Sequence, residues 1–143
     1  MIKPIAIFGL LLSSLLAFGQ ESGDEILGRW ISDSQKSIIE FFKEGDKYSA
    51  KTVWLKNPTH ENGEPKRDIK NPDESLQGRL LVGLVCIRDF MFTGENKYEG
   101  GTGYAPKYGK TLNGEIALAD ENTLELSIKV AFFSKTLIWT RLD

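Results

Sequence analysis

Asp68, Asn71, Asp73, Glu74 and Arg79 gather carboxylates, an amide and a guanidinium into one short stretch of a 143-residue chain. Oxygen donors at such density raise the question of calcium. Their spacing fits no EF-hand loop, and Asn71 and Glu74 have a competing use as helix caps, so no metal is expected here. The single histidine, His60, and the single cysteine, Cys86, are too few for a zinc site. Cys86 lies in the apolar run LLVGLVCIR, where a thiol is a buried structural group and not an activated nucleophile. No Gly-x-Ser-x-Gly is present for a serine hydrolase, and Gly100-Gly101-Thr102-Gly103 opens no helix that could cradle a phosphate. No catalytic set and no cofactor are therefore expected. An enzymatic reading would have to rest on Asp68, Tyr104 and Arg79.

Composition narrows the partners. The chain has 18 basic and 20 acidic side chains, a formal charge of −2, and no basic block. Nucleic acid is thereby disfavoured, since phosphate binding depends on clustered Lys and Arg. Residues 1–19 read as a signal peptide: Lys3 is followed by an apolar run from Ile5, and Ala17-Phe18-Gly19 places small residues at −3 and −1 of a cut before Gln20. That run is shorter than the roughly 20 residues a membrane span needs. No cysteine follows it to accept lipid. The expected product is one domain, residues 20–143, periplasmic or secreted, with no stable membrane span.

The remainder alternates with period two, the signature of half-buried strands. Leu124, Leu126, Ile128, Val130 and Phe132 share one face of residues 123–132. Tyr48, Ala50, Thr52 and Trp54 do so in 47–55, and Tyr98, Gly100, Thr102 and Tyr104 in 97–104. Runs at 28–33, 36–43, 79–87, 110–118 and 136–142 bring the count to about eight. Reversal signals separate them at 44–46, 94–96, 120–122 and Ser134-Lys135. Asn113-Gly114 interrupts an alternation that continues past it, which predicts a bulge. No window carries an apolar stripe at helical period. The class is all-β, a small antiparallel up-and-down barrel or a sandwich.

Residues 57–78 show no strand pattern, long for a connection in a compact domain. Asn71 as N-cap, Pro72 at the first helical position, Glu74 reaching back and Gly78 as the stop predict a helical turn over about 72–77, with Leu76 pointing inward. The same segment reads alternatively as a lid, with Asp68 and Arg79 facing an opening.

The two ends of the chain carry Gly28-Arg29-Trp30 and Trp139-Thr140-Arg141. This pairing resembles the lipocalin-like superfamily, in which Gly-x-Trp opens the first strand and an Arg of the last strand packs across that Trp. The resemblance implies a closed barrel with Gly28, Trp30 and Arg141 at the seam. A longer series is similar to the exported bacterial family known as domain of unknown function 2147. It comprises Val53-Trp54-Leu55, Asp68-x-x-Asn71-Pro72, Arg79 with Gly83, and Tyr104-x-Pro106-x-x-Gly109-Lys110, between the same two ends. That resemblance implies an envelope protein and little about activity. Ala105 stands where the family pattern has an acid and Leu112 where it has Tyr.

Three readings follow. In the first the barrel binds a small apolar or amphipathic molecule, with Tyr48, Trp54, Asp68, Arg79, Tyr98, Tyr104 and Trp139 as candidate interior or mouth residues. In the second a filled barrel, whose core includes those rings and Phe132, meets an unknown protein partner through its loops. The third is the enzyme above.

Overall fold

The structure is a computed structural model that describes residues 22–142; the expected signal peptide and cleavage site lie outside the described residues. Nine strands run in order: β1 Gly28–Ser32, β2 Ser37–Glu44, β3 Lys47–Leu55, β4 Val85–Gly94, β5 Lys97–Glu99, β6 Thr102–Ala105, β7 Lys110–Asp120, β8 Thr123–Val130 and β9 Phe133–Leu142. Every pairing is antiparallel between neighbours, and β1 pairs with β9, so the sheet closes. β5 and β6 both lie between β4 and β7, making them two pieces of one interrupted stave. The molecule is thus an eight-stave up-and-down barrel. Its inward face is apolar and its outward face carries charge, for instance the Arg29–Glu40 pair at 2.9 Å. That polarity is the reverse of an outer-membrane barrel, whose apolar face is outside. Among the described residues no helix is long and apolar enough to cross a membrane.

One end of the barrel is plugged. The 3-10 turn Gly23–Ile26 folds beneath it and inserts the fully buried Ile26 among Trp30, Tyr48, Phe90 and Tyr98. Tyr98 donates to the Gly23 carbonyl (2.6 Å), Tyr48 donates to Asp24 Oδ1 (2.5 Å), and the two rings meet edge to face at 5.4 Å. Trp30 donates its indole N–H to the Ile26 carbonyl (2.9 Å). The Arg141 guanidinium lies 4.2 Å above the Trp30 ring. It donates to the carbonyls of Glu121 (2.7 Å), Leu27 (3.0 Å) and Glu25, so first strand, last strand, plug and one turn are tied at a single point.

Several expectations need correction. Trp54 faces outward and is 41% exposed. Ile38 pairs with Trp54 while Ile39 pairs with Thr52, leaving Val53 as an extra residue; this bulge reverses the alternation beyond it. No bulge occurs at Asn113-Gly114, since Gly114 pairs in register with Ile128 and the irregularity falls at Leu118/Asp120. The last reversal is at Ala131-Phe132, not Ser134-Lys135, so Phe132 is at a hairpin tip and wholly exposed instead of in the core. Residues 79–84 belong to the long loop, and the strand expected at 79–87 begins at Val85. The stave at 97–104 is broken at Gly100-Gly101: a Cβ on Gly101 would collide with the Phe90 ring and the Arg88 carbonyl, so this residue must be glycine for β4 to pass.

Lysine at 141 keeps the charge but cannot stack a planar cation and reach three carbonyls at once. Arg141→Lys is expected to cost about 1–3 kcal/mol. In a thermal melt followed by circular dichroism, that corresponds to a fall of roughly 5–10 °C.

Candidate functional site

The strand directions put the loops 33–36, 56–84, 106–109 and 131–132 at the end opposite the plug. The long loop is folded on itself by short ladders: Arg67 pairs with Leu80, Asp68 N–H donates to the Arg79 carbonyl (2.9 Å), and Leu81 N–H to the Lys66 carbonyl (3.0 Å). Its helical segment is a single 3-10 turn, Glu74–Leu76, shorter than expected and capped two residues later. Asp73, not Asn71, is the N-cap, accepting from Ser75 N–H (3.0 Å). Asn71 instead forms an Asx turn, its Oδ1 accepting from Asp73 N–H (2.8 Å). Glu74 is exposed and makes no capping bond. Leu76 is half-buried and faces the cleft described below.

The interior of this loop holds a carboxylate. Asp68 is 1% exposed and accepts from Tyr104 Oη on Oδ1 (2.6 Å) and from Arg79 Nη2 (2.8 Å) and Asn71 Nδ2 (2.9 Å) on Oδ2. Burial alone raises the carboxyl, but the three donors outweigh it and hold Asp68 below the ordinary carboxylate range. Burial and the adjacent anion push the Tyr104 phenol up to about 12. Asp68 therefore does not face an opening. It pins the loop to β6 through Tyr104. Lys70 strengthens the attachment by donating to the Lys107 carbonyl (3.0 Å), and Gly109, at φ +63°, lets the Lys70 carbonyl approach where a Cβ would collide with it.

Two cavities adjoin at this attachment and share Cys86 and Tyr104. One, of about 200 Å³, is almost wholly apolar and is lined by Leu112, Leu126, Ile128, Leu137, Trp139 and Ala105, among others. The second, of about 300 Å³, is a cleft of mixed character between loop and barrel, with Asn71, Arg79, Arg88, Thr102 and Thr111 as polar borders and Pro72, Leu76 and Val85 as apolar ones. Two buried N–H donors there have no partner: Arg79 Nε at the cleft and Trp139 Nε1 at the apolar cavity. Buried donors are normally satisfied, so each is an open demand for an acceptor. Burial pushes the Cys86 thiol up, away from the thiolate that a nucleophile requires.

Of the candidate residues, the structure brings Asp68, Arg79, Tyr104 and Trp139 together at the mouth. It separates Tyr48 and Tyr98, which fill the plugged end, and Trp54, which lies outside. Sequence reasoning missed Thr102, Thr111, Arg88 and the cavity residues Leu126, Ile128 and Leu137. The alternation placed the last three inward without saying which end would be empty. Ala105 and Leu112, the two departures noted above, both line the apolar cavity. Among the described residues no group of three or more His, Cys, Asp or Glu could hold a metal ion.

A closed eight-stave barrel, sealed by Trp and Arg at one end and recessed at the other, defines a lipocalin-like protein. Residues 28–141 match the family described as an uncharacterized protein conserved in bacteria (DUF2147), and the chain belongs to that family. Among solved structures, it is similar to protein HP1028 from the human pathogen Helicobacter pylori, which belongs to the lipocalin family. The two are 27% identical, with 82% of this chain and 83% of that chain covered and a TM-score of 0.71. A redesigned β-barrel matches at 11% identity and a TM-score of 0.49, over 85% and 95% of the two chains. No curated protein matches.

Asp68→Asn turns an amide nitrogen toward Arg79 or Tyr104 and removes the anion. A loss of about 2–4 kcal/mol is expected at neutral pH. Because the folded carboxyl is depressed, its contribution is complete above the unfolded value of ~4 and is lost as pH falls through the folded one. The wild-type melting temperature should therefore drop more steeply below about pH 4 than that of the variant, measured by calorimetry across an acid series.

Proposed function

We propose that this protein is an exported binding protein of the bacterial envelope that holds a small amphipathic molecule at the open end of its barrel. The carrying observation is the junction at Tyr104 of an apolar cavity and a cleft of mixed character, with an unsatisfied buried donor on each side. An apolar tail fits against Leu112, Leu126, Ile128 and Trp139. A polar end bearing acceptors fits near Arg79 and Trp139. Recessed apolar sites with a few fixed polar groups are the usual form of small-molecule sites. Binding is favoured over catalysis by the state of the polar groups: Asp68 is saturated by three donors, the Cys86 thiol is raised by burial, and His60 is exposed on the loop away from both cavities. Export is supported by Lys3, the apolar run after it and the small residues before Gln20.

Native mass spectrometry of protein purified without denaturation should show a bound mass. A naphthalene dye carrying a sulfonate, which supplies acceptors for the two unmet donors, should bind saturably and be displaced by single-chain amphiphiles. Leu112→Trp, which fills the apolar cavity, should weaken dye binding about tenfold or more while leaving the melting temperature within about 3 °C. A bare mass with no saturable dye binding, or a Leu112→Trp variant that binds as well as wild type, would sink the reading. Expression of the full chain in a bacterium should yield an envelope product beginning at Gln20, read by intact mass.

A further inference from the structure

We infer that the hairpin tip formed by Val130, Ala131, Phe132 and Phe133 is a membrane-docking element that seats the open end of the barrel on an anionic lipid surface. At this tip Phe132 is wholly exposed and Phe133 is 63% exposed. Ala131, which turns the chain, takes φ +50°, a left-handed conformation that Gly or Asn would adopt more easily. The turn is thus neither optimised for tightness nor for solubility. Two adjacent aromatic side chains held in water by an ordered hairpin constitute an apolar patch in want of a surface.

Neighbouring residues say which surface. β7 and β8 pair, so the turn leading into β7 stands beside the tip, and it adds Tyr108, 64% exposed. Residues 100–114 and 126–142 together contain Lys107, Lys110, Lys129, Lys135 and Arg141 and no acidic side chain. Arg141 is at the plugged end and occupied there; the four lysines are at or near the open end. The next loop along the rim, 33–36, carries one charge of each sign, Asp33 and Lys36. The plugged end has the opposite character, with Asp24, Glu25, Glu44, Asp46, Asp120 and Glu121. The long loop 56–84 at the open end is balanced, with Lys56, Lys66, Arg67, Lys70 and Arg79 against Glu61, Glu64, Asp68, Asp73 and Glu74, so the four lysines leave that end net positive, whereas at the plugged end the acids outnumber Lys43, Lys47 and Lys97.

A second copy of the chain fits poorly as the occupant. A two-fold contact through the tip would bring each set of lysines against its own image, because such an interface is self-complementary. Anionic headgroups neutralise the lysines, while Phe132 and Phe133 enter the interfacial layer beneath them. This is the pairing of aromatic insertion with basic attraction that interfacial binding uses. The inference does not depend on a ligand being bound in the mouth.

The test is vesicle co-sedimentation with full chains that differ only at the tip, so that the apolar run near residue 10 contributes equally to all of them. Vesicles of phosphatidylglycerol mixed with phosphatidylcholine are compared with phosphatidylcholine alone, at low and high salt. Phe132→Ser with Phe133→Ser should lower partition onto the anionic vesicles about tenfold or more, and Lys129→Glu with Lys135→Glu should do so by about fivefold per lysine. Both pairs are exposed or partly exposed, so melting temperatures should stay within about 2 °C; Phe132→Ser alone, at the wholly exposed position, serves if the double variant is unstable. Equal partition of wild type and variants, or equal partition onto neutral and anionic vesicles, overturns the proposal. So does a homodimer in sedimentation velocity that the Phe variants dissolve without any change in vesicle binding.

Discussion

The seam between the first and last strands is the constraint on which the rest of this structure depends. A sheet of short strands has exposed edges unless it closes, and closure brings residues from opposite ends of the chain together at an entropic cost. Here Trp30 and Arg141 hold the join. The ring gives the guanidinium a face, and the guanidinium spends its donors on carbonyls of the plug and of the turn between β7 and β8. Because those carbonyls belong to Glu25, Leu27 and Glu121, the same group that closes the sheet also anchors the plug. Tyr48 and Tyr98 then complete that end from the side, their hydroxyls fixed to Asp24 and Gly23. Filling is therefore concentrated at one end, and whatever space the barrel retains must be at the other.

At the other end, order comes from a buried anion. An isolated carboxylate at the burial of Asp68 would be driven neutral, and the direction of its shift shows that hydrogen bonding wins over desolvation. Each donor comes from a different element: Asn71 from the start of the 3-10 region, Arg79 from the returning limb of the loop, Tyr104 from β6. One carboxylate thus sets three backbone segments in register and holds a loop of unusual length against the barrel. The arrangement leaves the buried Arg79 Nε unmet, which is how a structural pair comes to border a site.

Much of this was legible in the residues. Period two gives the strands through side-chain type at fixed spacing, whereas the Gly-x-Trp and Trp-x-Arg ends imply the seam only through their resemblance to the lipocalin-like superfamily. The failures have a common physical origin. Parity places Trp54 inward, and one extra residue at Val53 reverses parity for everything after it; nothing in Thr52-Val53-Trp54 announces a bulge. Phe132 extends a perfect alternation, yet the hairpin turns three residues before the more polar Ser134-Lys135. Asn71 and Asp73 are both good caps, and which one caps is decided by Asn71 bonding to Asp68 three residues back, whose own place is set by its longer-range partners. That Tyr104 would reach Asp68 across 36 residues is of the same kind. Alternation says which way a side chain points, whereas the location of an empty space depends on where the large rings accumulate.

The size of that space constrains what binding could mean. A tail of roughly six methylenes, fully buried at about 0.8 kcal/mol each, would gain about 5 kcal/mol before any cost of immobilisation, which is millimolar affinity at best. A cavity of about 200 Å³ lined by Leu112, Leu126 and Ile128 cannot by itself hold a ligand tightly. The polar side must supply the remainder. It is equipped to do so, because an acceptor placed at Arg79 Nε or Trp139 Nε1 relieves a buried unsatisfied donor, and relieving such a group returns about 1–3 kcal/mol. Selection at this mouth therefore rests on the head of the molecule more than on its tail. A purely apolar compound of the same size would leave both donors unmet, and the site would discriminate against it by that margin.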